Sequence, residues 1–231
     1  MKRLASALVL AAVVGLAPHY AHAQSIGEVD KEGWSPEGFL VSFGVGAYRP
    51  DPGSQAFDRS YPSGNGPILL GEFDFFLYRI PFLGPIGIGV AGGWANYKGT
   101  GCLDPSGACV PSDSAKFSLF PLNALFVLRI DALARKTPVP FVFTGKVGYN
   151  SVFFKEEVGA GKSSGRSHGF GWAAQIALEL NFINQRRANA LDQDWGINSS
   201  FFFFELAGSD TNSRTPVGDK FYFTGGFGLT F

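Results

Sequence analysis

From residue 39 onward the chain alternates apolar residues with small or polar ones at a period of two. In 169–182, for example, Phe170, Trp172 and Ile176 alternate with Gly171, Gln175 and Glu179. Because successive side chains of a β-strand point to opposite faces, this pattern predicts strands with one apolar face. Eight segments carry it: Phe39–Tyr48, Leu69–Tyr78, Ile86–Ala95, Phe120–Arg129, Phe141–Asn150, Gly169–Phe182, Ser199–Leu206 and Lys220–Phe231.

The segments are close to the ~9–11 residues that a tilted strand needs to cross a bilayer. Their apolar face is long and aromatic, whereas the opposite face holds mainly Gly, Ala, Ser and scattered charges. A soluble sandwich or lipocalin-like barrel is the alternative, but it would bury the large apolar face. The pattern therefore predicts an all-β fold, an eight-stranded antiparallel up-and-down transmembrane β-barrel.

Composition agrees with a membrane barrel. Charged residues make up 16% of the chain, below the ~25% usual for soluble domains, and there are 31 glycines and 24 phenylalanines. The 19 basic residues are balanced by 19 acidic residues, which argues against a nucleic-acid-binding surface.

The N-terminus has the three parts of a secretory signal peptide. Lys2 and Arg3 form a positive region, 4–17 is apolar, and Ala21-His22-Ala23 fits the cleavage site. We therefore expect a signal peptide at 1–23, a short periplasmic segment at 24–36 and the barrel at 37–231.

The connections between the predicted strands differ in length. Segments 49–67, 98–116, 155–168 and 207–219 are long and polar, whereas 79–85 is short, 131–140 is compact, and 183–195 contains a possible helical turn. Outer-membrane barrels have long extracellular loops and short periplasmic turns. The four long segments are therefore predicted to be extracellular and both termini periplasmic.

The last eleven residues, Phe221 to Phe231, have aromatic residues at alternate positions and end in Phe. This ending resembles the C-terminal strand signal of outer-membrane barrels, and the whole chain resembles the small OmpA/OmpX-type barrels. The resemblance implies a monomer in the cell outer membrane, surrounded by lipid, without a cofactor. It also implies that the barrel-assembly machinery reads Phe227, Leu229 and Phe231.

Seven charged residues fall on the inward face by strand parity: Glu72, Asp74, Arg129, Lys146, Glu179, Glu205 and Lys220. A charge inside a narrow barrel is unfavourable unless it is paired. We interpret these residues as an ion-pair network that plugs the lumen. The alternative interpretation is a gated pathway for small ions or protons.

Two cysteines, Cys102 and Cys109, flank a turn-forming Asp-Pro-Ser-Gly sequence. In an exported protein an even cysteine count favours a disulfide. Zinc would need two further ligands, which the neighbouring sequence does not supply.

His168 is the one histidine left after signal-peptide removal, and Ser167 precedes it. Some small barrels are lipid-modifying enzymes that use a Ser–His pair, but adjacent residues on a strand face opposite sides. We therefore expect no enzyme activity and a structural or surface-interaction role through the extracellular loops. A narrow channel is the first alternative and a lipid-modifying enzyme the second.

Overall fold

The computed structural model of the chain describes residues 37–50, 57, 61, 66–102, 111–211 and 217–231. Within these residues eight strands form one closed barrel, in which every strand pairs antiparallel with its neighbours in chain order. The predicted eight-stranded antiparallel up-and-down β-barrel is therefore confirmed. The strands are β1 (Phe39–Tyr48), β2 (Gly66–Ile80), β3 (Gly84–Cys102), β4 (Pro111–Ile130), β5 (Phe141–Val158), β6 (Gly161–Glu179), β7 (Ser199–Thr211) and β8 (Tyr222–Thr230).

The exterior of the barrel is apolar and its interior is largely polar. Large side chains such as Phe43 (68% exposed) and Val90 (60% exposed) cover the outside. The inward positions of the same strands hold Ser42, Lys146 and Thr224, all nearly inaccessible to solvent. The period-two alternation therefore places the apolar face outward, which is the reverse of a soluble protein.

The described connections differ between the two ends of the barrel. At the end where β1 begins and β8 finishes, here the termini end, a tight turn at 81–83 joins β2 to β3. Helix α1 (Ala132–Lys136) follows β4 there, and helix α2 (Gln185–Trp195) lies between β6 and β7. At the far end, β5 and β6 are joined by the two-residue turn at 159–160, where Gly159 has a positive φ of 55°. That backbone conformation favours glycine.

Strands extend further towards the far end than the sequence pattern predicts. The segment 155–168, expected to be a long loop, is almost entirely strand, with Glu157 paired to Lys162. Strands β3 and β4 also extend into the predicted loop 98–116, one from each end. The alternating pattern did not reveal these extensions, because their side chains are mostly polar. A strand whose outer face contacts water does not need apolar residues on that face.

The barrel closes where β1 meets β8, next to the chain's C-terminus. The backbone N–H groups of Gly38 and Phe39 both donate to the Phe231 carbonyl, at 2.5 and 3.1 Å. The rings of Phe39 and Phe231 stack with centroids 4.6 Å apart. Backbone pairing and ring stacking therefore join the two terminal strands.

Candidate functional site

The middle of the lumen holds a central charge cluster of Lys146, Glu72, Glu205 and Asp74. The Lys146 ammonium lies 2.6 Å from Glu72 Oε1 and 2.6 Å from Glu205 Oε2. Asp74 is fully buried two residues beyond Glu72 on the same face of β2. One cation therefore bridges two carboxylates from two non-adjacent strands, with a third carboxylate nearby.

Backbone register and a small neighbour position this cluster. Lys146 is on β5, Glu72 and Asp74 are on β2, and Glu205 is on β7, so the strands must close into a barrel before these groups can meet. Asp74 pairs in register with Gly89 of β3, and a Cβ atom at Gly89 would overlap the Asp74 carboxylate. A glycine at that position therefore leaves the space that the carboxylate fills.

A small cavity adjoins the central charge cluster. Its volume is about 40 Å³, and Lys146, Glu72 and Glu205 line it together with Ser42 and Asn123. Since a water molecule needs about 10–15 Å³ of such volume, the cavity has room for two or three waters. The middle of the lumen is thus suited to a few hydrated, paired charges.

An aromatic layer fills the lumen between the cavity and the far end. Tyr97 donates a hydrogen bond from its hydroxyl to the Tyr48 carbonyl at 2.6 Å, and Tyr48 donates to the Val217 carbonyl at 2.9 Å. Phe117 packs against Tyr97 with ring centroids 6.1 Å apart. Tyr61 contacts Phe117 and donates to Glu156 at 2.9 Å. These rings form a buried, packed layer on the far side of the central charge cluster.

An apolar layer lies on the other side of the cluster, towards the termini end. It consists of buried side chains from six strands: Leu40, Phe76, Val127, Val142, Ala177 and Phe201. The Arg129 guanidinium lies over the Phe201 ring, 5.1 Å from its centroid. The charged centre is therefore enclosed by apolar side chains from both directions.

The termini end carries a second group of charges, here the termini-end network. Arg129 lies 3.0 Å from Glu179 and 3.7 Å from Glu37, which precedes β1. Glu37 also pairs with Arg135 of α1 at 3.1 Å. Its members are Glu37, Arg79, Arg129, Asp131, Arg135 and Glu179. Three arginines balance three carboxylates, so the network is neutral.

Asp131 and Arg135 link this network to the nearest turns. Asp131 accepts from Arg135 Nε at 2.6 Å, and Arg79 reaches the same carboxylate at 2.7 Å. Burial of Arg135 opposes its charge, but Glu37 and Asp131 outweigh that effect and raise the pKa of the guanidinium above its ordinary value. Arg135 therefore stays charged and holds α1 against the barrel end.

Six of the seven predicted lumen charges do lie inside the barrel, in two separate groups rather than one network. Lys220 does not join them, and its placement in the lumen is wrong: it lies in a bend before β8 and its side chain is exposed. Parity failed there because β8 begins only at Tyr222. The alternating pattern did not identify the other four members of the termini-end network, which all lie outside the alternating segments: Glu37, Arg79, Asp131 and Arg135. Their one sequence signal was closeness to predicted strand ends.

The predicted disulfide lies outside the described residues, because Cys109 falls in 103–110 and only the backbone of Cys102 is described. The predicted signal peptide and the segment 24–36 also lie outside them. His168 is exposed on the outer face of β6, 6.2 Å from the Tyr149 ring, whereas the neighbouring Ser167 is buried on the inner face. The two side chains therefore do not form a Ser–His pair.

The described part of the chain contains the helices α1 and α2. Neither helix in it is long and apolar enough to cross a membrane. Its described His, Cys, Asp and Glu side chains form no group suited to a metal ion.

No family model and no curated protein matches the sequence. Several solved structures do match the fold. The outer membrane protein OprG from Pseudomonas aeruginosa is similar, with a TM-score of 0.52, 14% identity, and coverage of 87% of this chain and 99% of that one. Neisserial surface protein A matches with a TM-score of 0.46, 13% identity, and coverage of 84% and 97%.

The chain has the fold of the small eight-stranded outer-membrane β-barrels. In an outer-membrane barrel the apolar exterior contacts membrane lipid, which accounts for exposed side chains such as Phe43 and Leu69. The same fold places both termini at one end, because the strand number is even.

Proposed function

We propose that this protein is a monomeric, closed outer-membrane barrel with a structural and surface-interaction role. The observation that carries the proposal is the closed lumen, in which an aromatic layer, a central charge cluster and an apolar layer follow one another. The paired charges support the proposal that the lumen holds an ion-pair plug. The cavity of about 40 Å³ between the layers favours a plug over a pathway.

The strand lengths support a role at the far end. At ~3.4 Å per residue and a tilt of ~40°, the 10 residues of β1 rise about 26 Å, close to the ~25 Å apolar band of such barrels. The 20 residues of β4 rise about 52 Å by the same calculation. Strands β3 to β6 therefore have enough length to project beyond the membrane as a stable surface for other molecules.

We place this projecting end outside the cell and both termini in the periplasm. Cleavage after Ala23 would release the signal peptide, and the outward row of Phe227, Leu229 and Phe231 would be read by the barrel-assembly machinery. A protease site inserted between Gly159 and Ala160 should be cut on intact cells, whereas one inserted at Asn189 in α2 should be protected. The reverse pattern would overturn this orientation.

Ion conductance tests the closed-lumen proposal against the alternative of a narrow channel. The purified barrel should give no steady single-channel current in planar bilayers. The matched variant Tyr97→Ala opens part of the aromatic layer but leaves the apolar layer in place, so it should stay silent as well. A large, steady current through the unmodified protein would refute the proposal and favour the channel.

A further inference from the structure

The outer surface of strands β3 to β6 changes from apolar to polar at one cross-strand row. Phe120 pairs with Phe153, and Trp94 lies beside Ala95, which pairs with Leu119. These three aromatic side chains are 45%, 40% and 45% exposed on the outside. Aromatic residues of membrane barrels gather at the interface with water. The row therefore marks the membrane boundary at the far end.

Beyond this row the outward positions become polar, and most of the second row of them is basic. Lys98 pairs in register with Lys116, Lys116 with Glu157, and Glu157 with Lys162, so one row crosses all four strands. Lys155 lies one outward position nearer the aromatic row, opposite Ser118. We call Lys98, Lys116, Lys155 and Lys162 the basic patch.

Among the described residues, one carboxylate, Glu157, balances only part of the charge of the basic patch. The Glu157 carboxylate forms an ion pair with the Lys155 ammonium at 2.8 Å and lies 3.7 Å from the Lys162 ammonium. Lys98 and Lys116 face each other across β3 and β4, and no described carboxylate forms an ion pair with either. Like charges directly opposite on a sheet face are destabilising. An anion with several oxygens placed between the two ammonium groups would remove that repulsion.

The position of the patch indicates which anion this is. The basic patch continues the lipid-facing surface by one or two positions, with the exposed side chains of Trp94, Phe120 and Leu122 below it. A lipid whose acyl chains pack on these side chains carries its headgroup to the height of the lysines. A soluble anion would gain nothing from the apolar surface below.

We propose that the basic patch binds the phosphate groups of a phosphorylated lipid of the outer leaflet, with its acyl chains packed below the aromatic row. Lys98 and Lys116 hold one phosphate between them, and Lys155 and Lys162 extend the site along the same face. Arg166, opposite Phe153 in the register, lies at the height of the aromatic row. The assignment to the outer leaflet rests on the proposed orientation, whereas the phosphate-binding chemistry does not.

The test measures lipid binding to the purified, folded mature chain in a neutral detergent by native mass spectrometry. The probes are diphosphoryl lipid A, the same lipid after enzymatic dephosphorylation, and inorganic pyrophosphate. We expect diphosphoryl lipid A to bind, and to bind less tightly as the salt concentration rises. We expect neither of the other probes to bind comparably.

Substitutions of the lysines test whether the lipid binds at the basic patch. Each basic residue near an anionic lipid surface contributes about fivefold in affinity, so the double variant Lys98→Ala/Lys116→Ala should bind about 30-fold more weakly. Lys98→Arg/Lys116→Arg should retain binding, and Glu157→Gln should strengthen it. Lys136→Ala is the control, because Lys136 is an exposed lysine at the termini end. The substituted side chains are on the surface, so every variant should keep the gel mobility of the folded barrel.

Three results would overturn the proposal. Equal binding of the phosphorylated and dephosphorylated lipids would show that acyl chains alone are recognised. Equal binding of pyrophosphate would show a site for soluble anions. Unchanged binding by the double alanine variant would place the lipid elsewhere. Because the assay is done in detergent, it does not depend on orientation, which the protease-site experiment tests separately.

Discussion

Replacing Lys146 with alanine is the most direct test of how the lumen is held together. In the wild-type barrel its ammonium lies 2.6 Å from both Glu72 and Glu205, and its side chain is 2% exposed. The substitution leaves two carboxylates facing each other, with the buried Asp74 beside them. No other described cation lies within 4 Å of these two glutamates.

The expected loss follows from the burial of the partners. Removing one member of a buried ion pair costs about 3–5 kcal/mol, because the remaining charge is uncompensated. The adjoining cavity of about 40 Å³ admits water beside the carboxylates, which reduces this cost. We therefore expect Lys146→Ala to lower the free energy of unfolding by about 3 kcal/mol, at the low end of that range.

Urea titration in detergent micelles measures the loss, with unfolding followed by tryptophan fluorescence and by the gel mobility of the folded barrel. The control is Lys155→Ala, since Lys155 forms a solvent-exposed ion pair, and such pairs contribute little to stability. Lys146→Met with Glu205→Leu should recover only part of the loss, because Glu72 remains unpaired. Adding Glu72→Gln should recover more. A Lys146→Ala midpoint equal to that of the control would refute the ion-pair account.

Three further predictions concern other parts of the barrel. Glu37→Gln should lower the free energy of unfolding by about 1–3 kcal/mol in the same urea titration, because the buried Arg129 and the partly buried Arg135 lose a charged partner; an unchanged midpoint would contradict this. Gly228→Val should cost about 1–3 kcal/mol, since its Cβ would overlap the Phe201 ring, and Phe201→Leu in the same chain should restore part of it; no recovery would mean that the clash lies elsewhere. Burial raises the pKa of Asp219, so the folded state binds its proton more tightly than the unfolded state. The stability contributed by this group therefore falls as the pH rises through the raised pKa. Asp219→Asn should flatten this dependence above about pH 4, where the unfolded carboxyl loses its proton, and parallel pH profiles for the two proteins would contradict it.

The sequence predicted which side chains point inward but not which of them meet. Strand parity correctly predicted that Lys146, Glu72 and Glu205 point towards the lumen, because side chains alternate between the two faces of a strand with a period of two. Their contact depends on the relative heights of β2, β5 and β7 in the closed barrel. The sequence of a single strand does not determine that height. The same reason explains why Arg129 and Glu179 form a separate group with Glu37.

Helix α2 was foreseen only as a possible turn, although both of its end signals are present in the sequence. Asn184 accepts a hydrogen bond from the Arg187 backbone N–H at 3.1 Å, which is an N-cap interaction. Gly196 adopts a left-handed conformation with a φ of 67° and ends the helix. An apolar stripe was missing from the pattern because most of the helix is exposed.

The seam between β1 and β8 has a consequence for the order of folding. Every other pair of strands is adjacent in the sequence, so it forms by closing a local hairpin, whereas this pair joins residues near 40 with residues near 230. Closing so large a loop carries the greatest entropic cost of any step, and contacts of this kind slow folding. The pairing of β1 with β8 should therefore form last, after the other seven strand pairs have formed. It should also be the first ladder to exchange its amide hydrogens when the native barrel opens.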